Sequence, residues 1–249
     1  FEVIDTQKTH EAVYMHTGKI IRGAISVGDT VKAAVDTDTR LAVMRNHTAA
    51  HLLQAALRKV LGTHVEQAGQ LVSASSVRFD FTHFSALTDE ELKAVENEVN
   101  NSIFAAVKVT MTEMPIDEAK KLGAMALFGE KYGATVRVVN AQGRSIEFCG
   151  GTHVDNTSKL GLFRIISEGS VAAGVRRIEA VTGTGVLALL ERYTNVISDA
   201  MAASKAGKPE EIAERVNAVA EELKHKESEI ERLNSKIASG KFESLMNDA

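Results

Sequence analysis

Apolar and polar positions repeat along this chain with three different rhythms, and the changes of rhythm divide it. In residues 1–40, Val, Ile and Thr are frequent over 10–15 and 19–35, punctuated by Thr17-Gly18 and Val27-Gly28-Asp29. This predicts a few short strands in a small β-barrel or a sheet packed on its neighbour, too few to be stable alone. Residues 41–185 mix helical and strand periods. Leu52, Leu53, Ala56, Leu57 and Val60 fall at helical spacing, with Asp38 and Thr39 as caps and Gly62 as a stop, so a helix is expected over 41–61. Val77, Phe79 and Phe81 alternate with Arg78 and Asp80, as in a half-buried strand over 76–81. Thr88-Asp89-Glu90-Glu91 has the form of a capping box and opens a second helix over 88–107. Further strands are expected over 107–114, 135–139, 145–148, 162–168 and 175–181, with a short helix over 116–121. The order is α+β rather than strictly alternating.

Residues 186–249 carry no strand signal. Ile212, Val216, Val219, Leu223, Ile230, Leu233 and Ile237 recur at alternating four- and three-residue steps, with Lys226 in the vacant heptad position. Such a seam predicts a short coiled coil or an antiparallel helix pair after a bend over 205–209. A helix packed on its own domain fits the same pattern.

A length of 249 residues allows one large domain, or two small ones and an appendage. The net charge of −4 provides no global basic field, so any nucleic-acid contact must come from local patches. Cys149 is the single cysteine, which excludes an internal disulfide and favours a reducing, cytoplasmic home. No apolar run approaches the ~18 residues of a membrane span, and the first residues lack a signal-peptide pattern. The chain opens on Phe1 rather than Met, as a piece of a longer protein would.

Two clusters carry candidate chemistry. In His47-Thr48-Ala49-Ala50-His51 the histidines stand four apart, on one face of a helix, where two imidazoles can share a metal ion. A zinc-protease helix needs Glu after the first His, and Thr48 stands there instead. In Cys149-Gly150-Gly151-Thr152-His153 a thiol and an imidazole flank a glycine turn that follows a strand. Each pair alone also fits buried structural residues. Together they offer the nitrogen and sulfur donors that zinc prefers. The other histidines (His10, His16, His64, His83 and His225) read as surface or satisfied polar groups, and Phe79, Phe81 and Phe128 read as core.

Four runs resemble the editing region of bacterial alanyl-tRNA synthetases, in order and in approximate spacing. They are residues 45–53 (RNHTAAHLL), 124–133 (AMALFGEKYG), 147–154 (EFCGGTHV) and 174–183 (GVRRIEAVTG). A related fold occurs in threonyl-tRNA synthetase editing domains and in freestanding alanyl-tRNA editing proteins. The resemblance implies a β-barrel-like subdomain over 1–40, a zinc-containing editing core with an antiparallel sheet over 41–185, and a helical, coiled-coil segment over 186–249. It implies hydrolysis of serine or glycine wrongly esterified to alanine tRNA. A pocket sized for alanine cannot exclude glycine and rejects serine poorly, so a second site is needed. His47, His51, Cys149 and His153 map onto the family's zinc ligands, and Gln67 onto its active-site glutamine, which holds water or substrate but is no strong base. Thr48, Gly150, Gly151 and Thr152 are expected beside the substrate. Arg45, Arg176 and Arg177 are candidate tRNA contacts, with one of the tandem arginines meeting phosphate and the other an internal acid. Arg137, Arg144 and Lys159 could add to them. Where many relatives carry Thr before the second metal histidine, this chain has Ala50. No aminoacylation domain fits within this length, so charging of tRNA is not expected. Self-association through the C-terminal helices is implied, as is the alternative that the chain is a structural-zinc, tRNA-binding module.

Overall fold

The computed structural model describes residues 1–9, 13–126 and 132–247, and divides the chain into Phe1–Thr37 and Asp38–Ala249. In the first unit β1 (Glu2–Lys8) pairs antiparallel with β2 (Tyr14–Lys19), with a bulge between Val3 and Asp5. The expected barrel is therefore corrected: among the described residues this unit holds one hairpin and no closed barrel. No strand follows over 20–36, and the Val-rich stretch there is a turn and extended coil with Val27, Val31 and Val35 exposed. A two-stranded ribbon has no second layer to bury them against. The strand expected over 10–15 begins at Tyr14, and 10–12 lie outside the described residues. β1 escaped prediction because its Asp5, Thr6 and Gln7 break any apolar alternation.

The second unit begins with α1 (Thr37–Leu61), followed by β3 (Gln67–Val72), β4 (Val77–Thr82) and α2 (Asp89–Phe104). Next come β5 (Val109–Pro115), α3 (Ile116–Lys121), β6 (Thr135–Ala141) and β7 (Ile146–Phe148). β8 (Phe163–Ala172), β9 (Val175–Thr182), α4 (Thr184–Ser204) and α5 (Ile212–Asn247) complete it. Two antiparallel sheets result, ordered β3-β4-β9-β8 and β5-β6-β7.

The strand alternation read in 76–81 is realised: Val77, Phe79 and Phe81 are fully buried. Phe79 and Val77 sit opposite Ile178 and Ala180 of β9, which are buried too. This apolar face shares one core with Leu52, Leu53, Ala56 and Leu57 of α1 and with Val95, Val99 and Ile103 of α2. α2 starts where its capping box requires: Thr88 Oγ1 accepts the Glu91 amide at 3.1 Å, and Glu91 Oε2 accepts the Thr88 amide at 2.9 Å. A smaller core of Ala119, Val136, Val138 and Phe148 serves the second sheet.

α4 ends at Lys205, which adopts the left-handed conformation at the predicted bend. α5 meets α4 near the elbow, where Ala200, Ala203 and Ser204 face Ile212, Val216 and Val219 across a cleft. Beyond it the heptad seam is solvent-exposed: Leu223, Ile230, Leu233 and Ile237 are 45–60% accessible.

The buried side chain of Asn46 latches α1 onto the larger sheet. Its Nδ2 donates to the Ser73 carbonyl at 2.9 Å, and its Oδ1 accepts the Thr182 hydroxyl at 2.7 Å. Asn46→Ala is expected to cost about 2 kcal/mol, because it strands a buried carbonyl and a buried hydroxyl. Urea denaturation of the two proteins measures this; an unchanged midpoint would show the latch to be dispensable.

Candidate metal centre

α1 supplies His47 and His51 one helical turn apart, and the turn after β7 supplies Cys149 and His153. The ligand atoms of these four residues all lie within 4.8 Å of one another. Cys149 Sγ is 3.5 Å from His47 Nε2 and 3.3 Å from His153 Nε2. A tetrahedral zinc site with bonds of about 2.0–2.3 Å has donor–donor edges of roughly 3.3–3.8 Å, so these separations fit such an ion.

The surroundings fit it as well. Burial, aided by the nearby His47, holds the His51 ring down at about pKa 3. Burial, then His51, His47 and Arg137, holds His153 down at about 2. His47 is lowered by burial and by the Arg137 charge, while a hydrogen bond with the Thr152 backbone opposes that shift. All three imidazoles are thus neutral near pH 7, with lone pairs available to a cation. The Gly151 amide donates to Cys149 Sγ at 3.4 Å, which favours the thiolate.

A supporting shell orients the donors. Thr48 Oγ1 accepts the Val154 amide at 3.2 Å and lies 3.1 Å from His153 Nδ1. A proton kept on Nδ1 by this contact leaves Nε2 to face the cluster. Thr48 is 1% exposed, and its hydroxyl is engaged with His153 and the Val154 amide. Behind His51, Glu147 Oε2 stands 3.6 Å from Nδ1. Its other oxygen accepts the Ser145 hydroxyl at 2.6 Å, and burial pushes the carboxyl up to about 7 against that bond. Arg137 of β6 donates to the carbonyls of Cys149 and Gly151 and clamps the turn.

The two glycines of the turn differ. A Cβ on Gly151 would collide with the His47 ring, whereas a Cβ on Gly150 would meet open space. Both border a cavity of about 410 Å³, whose wall also includes His47, Cys149, Arg137 and Gln70. From β3 that wall takes Gln70 rather than Gln67. Gln67 is half-buried at the first position of β3, opposite Phe81. Ala50 is buried in the core. Arg45 lies against Gly183 and lines a shallow groove with Lys159 and Thr184.

Both tandem arginines pair with acids of the sheet, where the sequence reading gave one to an internal acid and the other to phosphate. Arg176 holds Glu168 through two bonds of 2.5 and 2.7 Å, and Arg177 holds Asp80 through two of 2.6 and 2.7 Å. Asp80 is the direct cross-strand neighbour of Arg177, a pairing invisible before the register is known. Arg144 lies 3.7 Å from Glu98, and Lys159 lies 2.7 Å from Asp155. His64 and His83 satisfy each other at 2.9 Å, away from the centre.

A family model described as the threonyl and alanyl tRNA synthetase second additional domain matches residues 136–179. The alanine--tRNA ligase of Acetivibrio thermocellus is 47% identical over 248 residues, covering 100% of this chain and 28% of that protein. Those of Halalkalibacterium halodurans and Neisseria meningitidis serogroup B are 45% and 47% identical over 246 and 249 residues, again 28% of each. This chain corresponds to a segment of the bacterial alanyl-tRNA synthetases. The chain thus spans 28% of the length of these synthetases. The family model overlaps the half of the metal centre that carries Cys149 and His153, and the whole-length matches include the α1 half. Of the four runs that resemble the synthetases, three are described in full, while positions 127–131 of the run at 124–133, Phe128 among them, lie outside the described residues.

Sequence reasoning did not single out Gln70 or Glu147, and it offered Arg137 as a further phosphate contact without foreseeing its bonds to the glycine turn. Glu147 left a usable signal: a carboxylate between Ile146 and Phe148 on a short apolar strand needs a partner if it is buried.

Gly151→Ala is expected to weaken zinc binding by roughly 10–100-fold by displacing His47, whereas Gly150→Ala binds like the parent. Competition against a chromogenic chelator reads both; equal affinities for the pair would refute the steric account. The lowered histidines also set a pH dependence. A group whose folded pKa lies below its unfolded value loses stability as pH falls from the unfolded value toward the folded one. For His51 and His153 the window runs from 6.5 down to about 3 and about 2. Glu147 acts in the opposite sense between 4.5 and about 7, but it is one group against several. Chelator-treated protein should therefore have a lower urea midpoint at pH 5 than at pH 7.5.

Proposed function

We propose that this chain is the hydrolytic editing portion of an alanyl-tRNA synthetase. It cleaves the ester between serine or glycine and the terminal adenosine of alanine tRNA. The observation that carries the reading is the convergence of His47, His51, Cys149 and His153 beside a cavity that His47 and Cys149 line, in a chain that matches alanyl-tRNA synthetases throughout.

The residues divide the work. His47, His51, Cys149 and His153 would hold zinc. When bound, the ion supplies a Lewis acid that orients the aminoacyl end and polarises its ester carbonyl. Thr48 and Glu147 keep the His153 and His51 rings in place from behind. Gln67 holds the attacking water through its amide, which donates and accepts but does not take up a proton. Gly150 and Gly151 admit the ester without a side chain in its path, and Thr152 stands beside it. Arg45 contacts a tRNA phosphate, while Arg176 and Arg177 shape the adjoining surface through their carboxylate pairs. Serine is favoured over alanine because a group that binds the serine hydroxyl is left unpaired when alanine occupies the site.

The same reading assigns residues 1–40 to a β subdomain, 41–185 to the editing core and 186–249 to a helical segment. The exposed seam of that segment is a surface for self-association. The reaction belongs in the cytoplasm, where tRNA is charged. No helix among the described residues is long and apolar enough to cross a membrane.

Deacylation of serine-charged against alanine-charged alanine tRNA tests the proposal. Serine release should be fast and chelator-sensitive, alanine should be retained, and Gln67→Met should slow the reaction on the order of 100-fold. Release of neither amino acid by zinc-loaded, folded protein would replace this reading with that of a structural-zinc, tRNA-binding module.

A further inference from the structure

Gln70 sits on β3 directly opposite Phe79, so its side chain shares the sheet face that packs toward α1. There it forms part of the cavity wall beside His47, Cys149 and Gly151. Its Oε1 is shut off from solvent and has no hydrogen-bond partner. Buried amide oxygens are paired almost without exception, and an unpaired one needs an explanation. Three other described residues have such an atom, namely His51, Gln54 and Arg78, and none of them lines this cavity. An amide oxygen only accepts, so what completes it must bring an N–H or O–H.

We propose that Gln70 binds the substrate, its carboxamide turning into the adjoining cavity so that Oε1 accepts a hydrogen bond from the aminoacyl group of the ester. The inference rests on the editing reading and adds a specificity residue to it. Two donors on a seryl ester meet the requirement: the α-ammonium, which every aminoacyl ester carries, and the side-chain hydroxyl, which glycine lacks. Oε1 is unpaired in the free protein and is satisfied on binding, so its loss falls on turnover and not on folding.

Gln70→Met keeps the length of the side chain and removes the acceptor. In the full 249-residue chain loaded with zinc, this variant should deacylate serine-charged tRNA about tenfold more slowly, with unchanged zinc content and a melting temperature no lower than the parent's. Gln70→Glu, which retains an acceptor oxygen, should recover part of the rate. An equal fall for serine and glycine esters identifies the ammonium as the donor, and a fall for serine alone identifies the hydroxyl. If Gln70→Met does not retain zinc, Gln70→Leu takes its place in the same comparison. Unchanged rates in an active protein, or a loss matched by a lower melting temperature, overturn the Gln70 assignment alone. A parent chain that hydrolyses neither ester overturns the editing reading, and this inference with it.

Discussion

Three imidazoles and a thiol gathered in a largely buried space cannot be held there by packing alone, because each carries polar atoms that burial would strand. The fold resolves this by aiming their donor atoms at one point and fixing what stands behind them. Thr48 and the Val154 amide secure His153, Glu147 backs His51, and the Thr152 backbone engages His47. Burial that would oppose protonated rings then favours the neutral, electron-donating form. The centre therefore depends less on any one ligand than on the seating of α1 against the turn after β7.

That seating involves most of the second unit. Asn46, one residue before His47, joins α1 to the β3–β4 turn and to the end of β9. Arg137 reaches from β6 to two carbonyls of the glycine turn, so the smaller sheet carries the Cys149 side of the site. The larger sheet is tied across its strands by the Arg177–Asp80 and Arg176–Glu168 pairs, which keep β4, β9 and β8 in register beneath α1. Charges that look available for a polyanion in the linear sequence are thus largely committed within the fold.

Much of the fold was legible because local signals agreed with tertiary demands. The capping box at Thr88 and Glu91, the alternation at Val77, Phe79 and Phe81, and the short helix over Ile116–Lys121 all appear where their residues indicate. The N-terminal unit was less legible. Its Val-rich stretch has β-propensity, but propensity becomes a strand only when a neighbouring edge accepts the hydrogen bonds. The helical seam of α5 was read correctly as an apolar stripe, yet its spacing could not say what the stripe meets, and beyond the elbow it faces solvent.

The candidate metal ligands lay within reach of the sequence because each pair is local: His47 and His51 share a helical face, and Cys149 and His153 share a turn. Residue type and spacing thus determined what chemistry the chain could offer. Only the tertiary structure decided that the two pairs, about a hundred residues apart, meet at one point. It also decided that Gln70 rather than Gln67 lines the cavity, that Glu147 stands behind His51, and that Arg176 and Arg177 belong to the sheet. The reason is physical: helical and strand periods assign a side chain to a face, but the partner on that face is set by strand register and by which elements pack together.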